Sequence, residues 1–334
     1  MTAPIVVVTG GSAGVGRAVA LTFARHGWRV AVLARGEARL DDACAQIRAL
    51  GAEAMKLVAD VADPAQVEAA ADEVERRWGP IAVWVNNAMA TVFGDLARVP
   101  AADFRRATEV TYLGAVWGTQ AALRHMRPRN QGCIVQVGSA LAYRSIALQS
   151  AYCGAKSALR GFTDALRLEL LHARSAVRVT MVHLPACNTP QFDWSRNYMD
   201  GRPRPLGWVY PPDWVARAIY RAAAGSRRER WVGLPAALAI VGARFAPGWF
   251  KHTLAEQTWH GQLEEEGARG AAQQAPDNLF APAPGCQRAE GRFGREAQAT
   301  RARLVAGRLL ALGALLVGAS RLLARTARQR DGGG

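Results

Sequence analysis

Up to about residue 235, short runs rich in Val and Ile alternate with longer stretches of helical periodicity, and this alternation restricts the fold more than any other feature. The runs Pro4–Thr9, Arg29–Ala34, Glu53–Ala59, Ile81–Asn86, Cys133–Gly138 and Val177–Leu184 are too short for helices, and Trp231–Gly233 is expected to add a last strand. Between them, Val15–His26, Arg39–Leu50, Pro64–Trp78, Ala102–Met126, Ala151–His172 and Asp213–Ala224 space their apolar residues as helices do. Strands that alternate with helices build a parallel sheet. Their apolar runs are continuous because helices cover both faces, so an α/β, doubly wound parallel sheet is expected.

Composition narrows the partners. Half of the 334 residues are hydrophobic, enough for one large core. The net charge of +15 comes mostly from Arg scattered singly among Ala, Leu and Val, without the basic runs and interleaved aromatics of nucleic-acid modules, so no nucleic acid is expected. Five widely spaced cysteines fit neither a disulfide framework nor a zinc site, and His252 and His260 have no ligand pattern. No metal is expected, and a reducing, cytoplasmic setting fits. Met1–Pro4 lacks the basic start of a signal peptide.

Chemistry-bearing residues fall at the ends of the runs. After the first run comes Thr9-Gly10-Gly11-Ser12-Ala13-Gly14-Val15-Gly16, where Gly10, Gly14 and Gly16 let the backbone turn tightly and approach a pyrophosphate at a helix N-terminus, with Ser12 and Val15 in the same turn. Asp60 and Val61 close the third run, Asn86-Asn87-Ala88 the fourth and Ser139 the fifth, while Tyr152 and Lys156 start the next helix. In open parallel sheets ligands bind at the carboxyl ends of strands, so one crevice could collect them all. Tyr and Lys four apart share a helix face, where an ammonium can stabilise a phenolate.

This constellation resembles the short-chain dehydrogenase/reductase family, whose TGxxxGxG, Asn-Asn-Ala, Ser and YxxxK motifs have counterparts from residue 4 to about 235. The resemblance implies a Rossmann-type sheet of strand order 3-2-1-4-5-6-7 with a C-terminal extension. It makes Tyr152 the general acid/base, with Lys156 lowering its pKa and holding the nicotinamide ribose. Ser139 would orient the substrate carbonyl or hydroxyl. Asp60 and Val61 would contact the adenine, Asn87 would line the cofactor cleft, and Thr189, in Pro185-Ala-Cys-Asn-Thr189, would lie near the carboxamide. The implied substrate is a small-molecule carbonyl or alcohol, and the implied assembly is a homo-oligomer through the helices carrying Tyr152 and Ala102–Met126.

The second run ends Leu33-Ala34-Arg35, with no carboxylate for ribose hydroxyls, and Arg35 can pair with a 2′-phosphate. NADP(H) is therefore expected over NAD(H). Two departures from the family pattern stand out: Thr111 where Asn is usual, whose main chain could still support the proton relay to the lysine, and Met89 where Gly commonly follows Asn-Asn-Ala. They leave a catalytically weak NADP-binding regulatory or scaffold protein as the alternative to an oxidoreductase. The segment after the sixth run holds Phe192, Trp194, Tyr198, Trp208 and Tyr210, which suit either an apolar substrate or packing against the extension.

The chain is thus expected to divide into a catalytic unit, 1–235, a loop-rich extension, 236–300, and a basic apolar helix, 301–330. From Arg301 to Arg330 there are seven Arg and no acidic residue. Leu304–Leu323 has the length that crosses a bilayer as a helix, but Arg308 and Arg321 would have to snorkel. The tail reads as a helix packed on the protein or a partner subunit, with membrane contact as the alternative.

Overall fold

The computed structural model describes residues 2–245, 251–264, 277–283, 285 and 288–306. Seven strands, β1 (Ile5–Thr9), β2 (Arg29–Ala34), β3 (Ala54–Val58), β4 (Ile81–Asn86), β6 (Cys133–Ser139), β7 (Arg178–Leu184) and β9 (Glu229–Trp231), form one sheet in the order β3-β2-β1-β4-β6-β7-β9. Every pairing is parallel, and counted among these seven alone the order is 3-2-1-4-5-6-7. Two-residue strands β5 (Val92–Phe93) and β8 (Arg196–Asn197) pair separately. The last sheet strand lies two residues earlier than expected, because Met181, Val182 and His183 pair with Glu229, Arg230 and Trp231.

Alternate side chains of the strands enter opposite cores. Val6, Val8, Val30, Val32, Val83 and Val85 pack under α1 (Gly14–Arg25), α2 (Glu37–Ala49) and α8 (Pro212–Ala224). Ile5, Val7, Ala31, Leu33 and Trp84 pack under α3 (Pro64–Trp78), α4 (Ala101–Thr108), α5 (Gly114–Met126) and α6 (Ser150–His172). Helices cover both faces, which is why the strands could be apolar throughout.

The expected helix 102–126 is α4 and α5 joined by a π-helical turn, Glu109–Leu113. The buried Thr111 hydroxyl in that turn accepts from the Ala90 amide at 2.9 Å and donates to the Ala90 carbonyl at 2.7 Å. That tie draws the turn toward the loop after β4, and a one-residue widening of a helix is a common adjustment near functional sites.

A short helix α7 (Gln191–Trp194) follows β7. Beyond β9 come α9 (Leu234–Phe245), α10 (Lys251–His260) and a helical stretch over 294–306. Among the described residues, no helix is long and apolar enough to cross a membrane. Most of the basic apolar tail, from 307 onward, lies outside the described residues.

Candidate active site

The order reverses between β1 and β4, and the crevice outside their carboxyl ends is where a doubly wound sheet holds its ligand. Thr9 and Asn87 build this point. The Thr9 hydroxyl accepts from the Asn87 and Ala88 amides at 2.9 and 3.1 Å, and the Asn87 side-chain amide donates to the Thr9 carbonyl at 3.0 Å. A β-carbon on Gly16 would stand 2.2 Å from the Gly10 carbonyl oxygen and 2.4 Å from Asn87 Nδ2, so only glycine lets α1 start this close.

The start of α1 suits an anion. Gly10 and Gly14 have φ of +65° and +55°, Ala13 at the N-cap offers no side-chain cap, and the first turn holds no acidic residue. Its amides and dipole therefore face the crevice uncompensated by side chains. Behind the loop, the buried Arg17 guanidinium donates to the Ser12 carbonyl at 3.3 Å and pairs with Asp42. No sequence motif pointed to Arg17. Its pairing with α2 emerges only in the fold.

A cavity of 490 Å³ runs from this loop to Tyr152. Its lining includes Ser12, Val15, Arg35, Asp60, Val61 and Val110 together with Ser139, Tyr152 and Lys156, and Thr189 lines it beside the glycine loop, where a β-carbon on Gly14 would stand 3.5 Å from the Thr189 side chain. Thr111 is not among its lining residues. Of the five aromatics noted after the sixth expected strand, Phe192, Trp194 and Trp208 line it. Tyr198 instead donates to Asp103 at 2.6 Å, and Tyr210 is fully buried in the core beneath α8.

The catalytic candidates meet where β6 ends and α6 begins. Ser139 accepts from the Leu141 amide at 3.1 Å through its side chain and shares a hydrogen bond with the Tyr152 phenol. Lys156, one turn along, donates from Nζ to the Val137 carbonyl at 2.7 Å and lies 5.6 Å from the centre of the Tyr152 ring. Burial pushes the phenol above its ordinary pKa, while the Ser139 hydrogen bond pulls it down. Burial also lowers the Lys156 ammonium to about 8. Both shifts follow from removing charge from water, and the lysine stays largely cationic at neutral pH. Below Ser139, the His183 ring is 3.1 Å from the Ser139 carbonyl. Cys187 also lines the cavity, with burial raising its thiol to about 12.

The donor set fits a dinucleotide: glycines that allow close approach, helix amides without a side-chain cap for the pyrophosphate, and a polar cluster around Tyr152. The sequence profile described as short chain dehydrogenase matches residues 4–198. The chain belongs to the short-chain dehydrogenase family. It is 34% identical over 244 residues to the uncharacterized oxidoreductase YxnA of Bacillus subtilis, covering 72% of this chain and 68% of that one. A 33% identity over 192 residues links it to the 3-dehydrosphinganine reductase of Danio rerio, covering 56% and 57%. Among solved structures, a Burkholderia phymatum short-chain dehydrogenase/reductase in complex with NAD shares the fold at 24% identity, with a TM-score of 0.65 over 72% of this chain and 92% of that one.

The extension enters the site at both ends. Ala236 of α9 and Leu254 of α10 line the cavity, and Gln149, at the N-cap of α6, donates to Gln262 at 2.5 Å. At the other end Asn278 and Pro282 line the cavity. Asp60 accepts from the Ala62 amide at 3.0 Å and pairs with Arg106, whose Nε donates to the Leu279 carbonyl at 3.1 Å. Arg35 donates to the carbonyls of Asn278, Leu279 and Phe280, the last two at 3.1 and 2.9 Å. None of these extension residues carries a sequence motif.

Proposed function

We propose that this family member is an NADP(H)-dependent oxidoreductase that interconverts a carbonyl and an alcohol on an apolar substrate. The observation that carries the reading is the convergence of Ser139, Tyr152 and Lys156 in one cavity with the glycine loop. When bound, the nicotinamide supplies or accepts the hydride. In reduction, Tyr152 gives its phenolic proton to the substrate oxygen as negative charge develops there. Ser139 holds that oxygen by a hydrogen bond, and the Lys156 cation stabilises the phenolate left behind. In oxidation the same proton returns to Tyr152.

The dinucleotide would be held by Gly10, Ser12, Gly14, Val15 and Gly16 at the pyrophosphate, by Asp60 and Val61 at the adenine, and by Asn87, Lys156 and Thr189 toward the nicotinamide. Preference for NADP(H) rests on Arg35 and on the lack of a carboxylate from Leu33 to Gly36. Thr111 acts as a positioning residue, through the turn that its hydroxyl fastens to Ala90. Met89, Leu141, Ile146 and Leu206 add apolar surface at the substrate end, which suits a substrate of low polarity. The Danio rerio relative is named for reduction of 3-dehydrosphinganine, a comparison in keeping with such a substrate.

The catalytic unit ends near residue 235 and the extension completes its walls. We also propose a homo-oligomer through α5 and α6, since Leu168 and Leu171 of α6 are 64% and 74% exposed. NADPH consumption against a panel of apolar ketones and aldehydes, with Tyr152→Phe as control, tests the reading. Turnover lost in the variant supports it, whereas tight NADPH binding with no turnover on any compound favours the non-catalytic alternative.

A further inference from the structure

Asn278 bridges the two lips of the cleft by itself. Its carbonyl accepts from Arg35 at the end of β2, and its amide donates to the Trp194 carbonyl in α7 at 3.0 Å. Further along, the Arg288 carbonyl accepts from the Gly14 amide at 3.2 Å. Gly14 opens α1, so its amide has no partner within the helix and is one of the donors a phosphate oxygen would use. The strand of chain then passes Thr189, where the Gly291 amide donates to the Asn188 carbonyl at 3.2 Å and a β-carbon on Gly291 would stand 2.4 Å from the Thr189 carbonyl oxygen.

This covering is anchored. Leu279 is fully buried among the residues packed under α3 to α6. The Asp277 carboxylate accepts from the Leu279 amide at 2.9 Å and pairs with Arg196 at 2.6 Å. The contacts therefore extend from the adenine end of the cavity across the pyrophosphate loop to Thr189.

We propose that segments 277–283 and 288–293 form a strap over the dinucleotide cleft that must lift for a dinucleotide to enter or leave. The proposal rests on the reading of this cleft as a dinucleotide site. A gate of this kind slows arrival and departure together, because both require the open state. At Gly14 the strap also competes with the pyrophosphate for one amide, so a bound dinucleotide displaces the Arg288 carbonyl from that contact.

The test is stopped-flow measurement of NADPH binding and release in the full chain. Asp277→Ala and Leu279→Ala remove anchors that do not line the cavity, and each should raise both rates by about tenfold or more. A second variant works in the opposite direction and does not depend on weakening the fold. A β-carbon on Gly36 would lie 3.3 Å from Cβ of Pro282, close to the roughly 3.5–4.5 Å that a disulfide spans. Oxidised Gly36→Cys/Pro282→Cys protein should release NADPH at least about tenfold more slowly, with the rate restored by reductant. Unchanged rates in the alanine variants and in the oxidised pair would overturn the strap while leaving the dinucleotide site intact. Failure of the unaltered protein to bind either NADPH or NADH would overturn the reading of the cleft, and the strap with it.

Discussion

The guanidinium of Arg35 and the backbone carbonyl of Leu279 are joined at 3.1 Å across a sequence separation of 244 residues. The end of β2 is thereby fastened to the C-terminal extension. Burial lowers the Arg35 pKa, with Asp60 opposing that shift.

Cofactor choice is the first expectation. Arg35→Asp should weaken NADPH binding at least about tenfold more than NADH binding, because it places a carboxylate where a 2′-phosphate would approach. Titrations of both dinucleotides decide it. An unchanged ratio of the two affinities would refute the assignment.

Tyr152→Phe should lower kcat by about two to four orders of magnitude, the usual contribution of a positioned acid/base group. The dinucleotide Kd should change little, since the ring is kept. Equal loss of binding and turnover would mean that the variant disturbs the cleft rather than the proton transfer.

The Lys156 ammonium gives a pH dependence to stability. Its folded pKa, about 8, lies below the ordinary 10.5 of an unfolded lysine. Below pH 8 both states are charged, and the folded state bears the full cost of burying that charge, roughly 3 kcal/mol. Between pH 8 and 10.5 the unfolded chain binds more protons, so this contribution to stability rises with pH. Lys156→Met should therefore be more stable than the parent at pH 7, and the gap should narrow toward pH 10. Chemical denaturation at the two pH values measures it, and a constant gap contradicts the assignment.

Gly16→Ala should abolish dinucleotide binding and lower the melting temperature. The added carbon would meet the Gly10 carbonyl oxygen at 2.2 Å, a backbone atom that cannot move without displacing the loop. Calorimetry on the variant with NADPH present should show no stabilisation by the ligand.

Leu168→Glu/Leu171→Glu should shift the protein to monomer in sedimentation velocity if α6 is the assembly face. Charges on a freely solvated helix face would leave the sedimentation coefficient unchanged. That second result would remove α6 from the assembly.

The candidate site is legible in the chain to the extent that its parts are local. A strand that ends in Thr9-Gly10, a helix that opens at Gly14, and Tyr152 and Lys156 on successive turns are consequences of fixed spacings, 2 residues along a strand and about 3.6 along a helix. Strand order followed from the family that those motifs resemble. The π turn at Glu109–Leu113 was not legible, because a widened turn depends on what packs beside it, here Ala90 against Thr111. Tyr198 and Tyr210 matched Trp194 and Trp208 in composition, yet packing sent them to Asp103 and to the core.

What the sequence determined by itself is therefore the parallel sheet, the glycine-rich turn at the start of α1 and the Ser, Tyr and Lys cluster, since periodicity and short spacings act within a few residues. Only the tertiary structure decided which residues join the two sides of the cavity. Leu279 fills a space made by several elements, and Asn278 bonds through backbone atoms that every residue type carries. Backbone groups leave no signature in a sequence, and their partners are chosen by where the packed chain brings them.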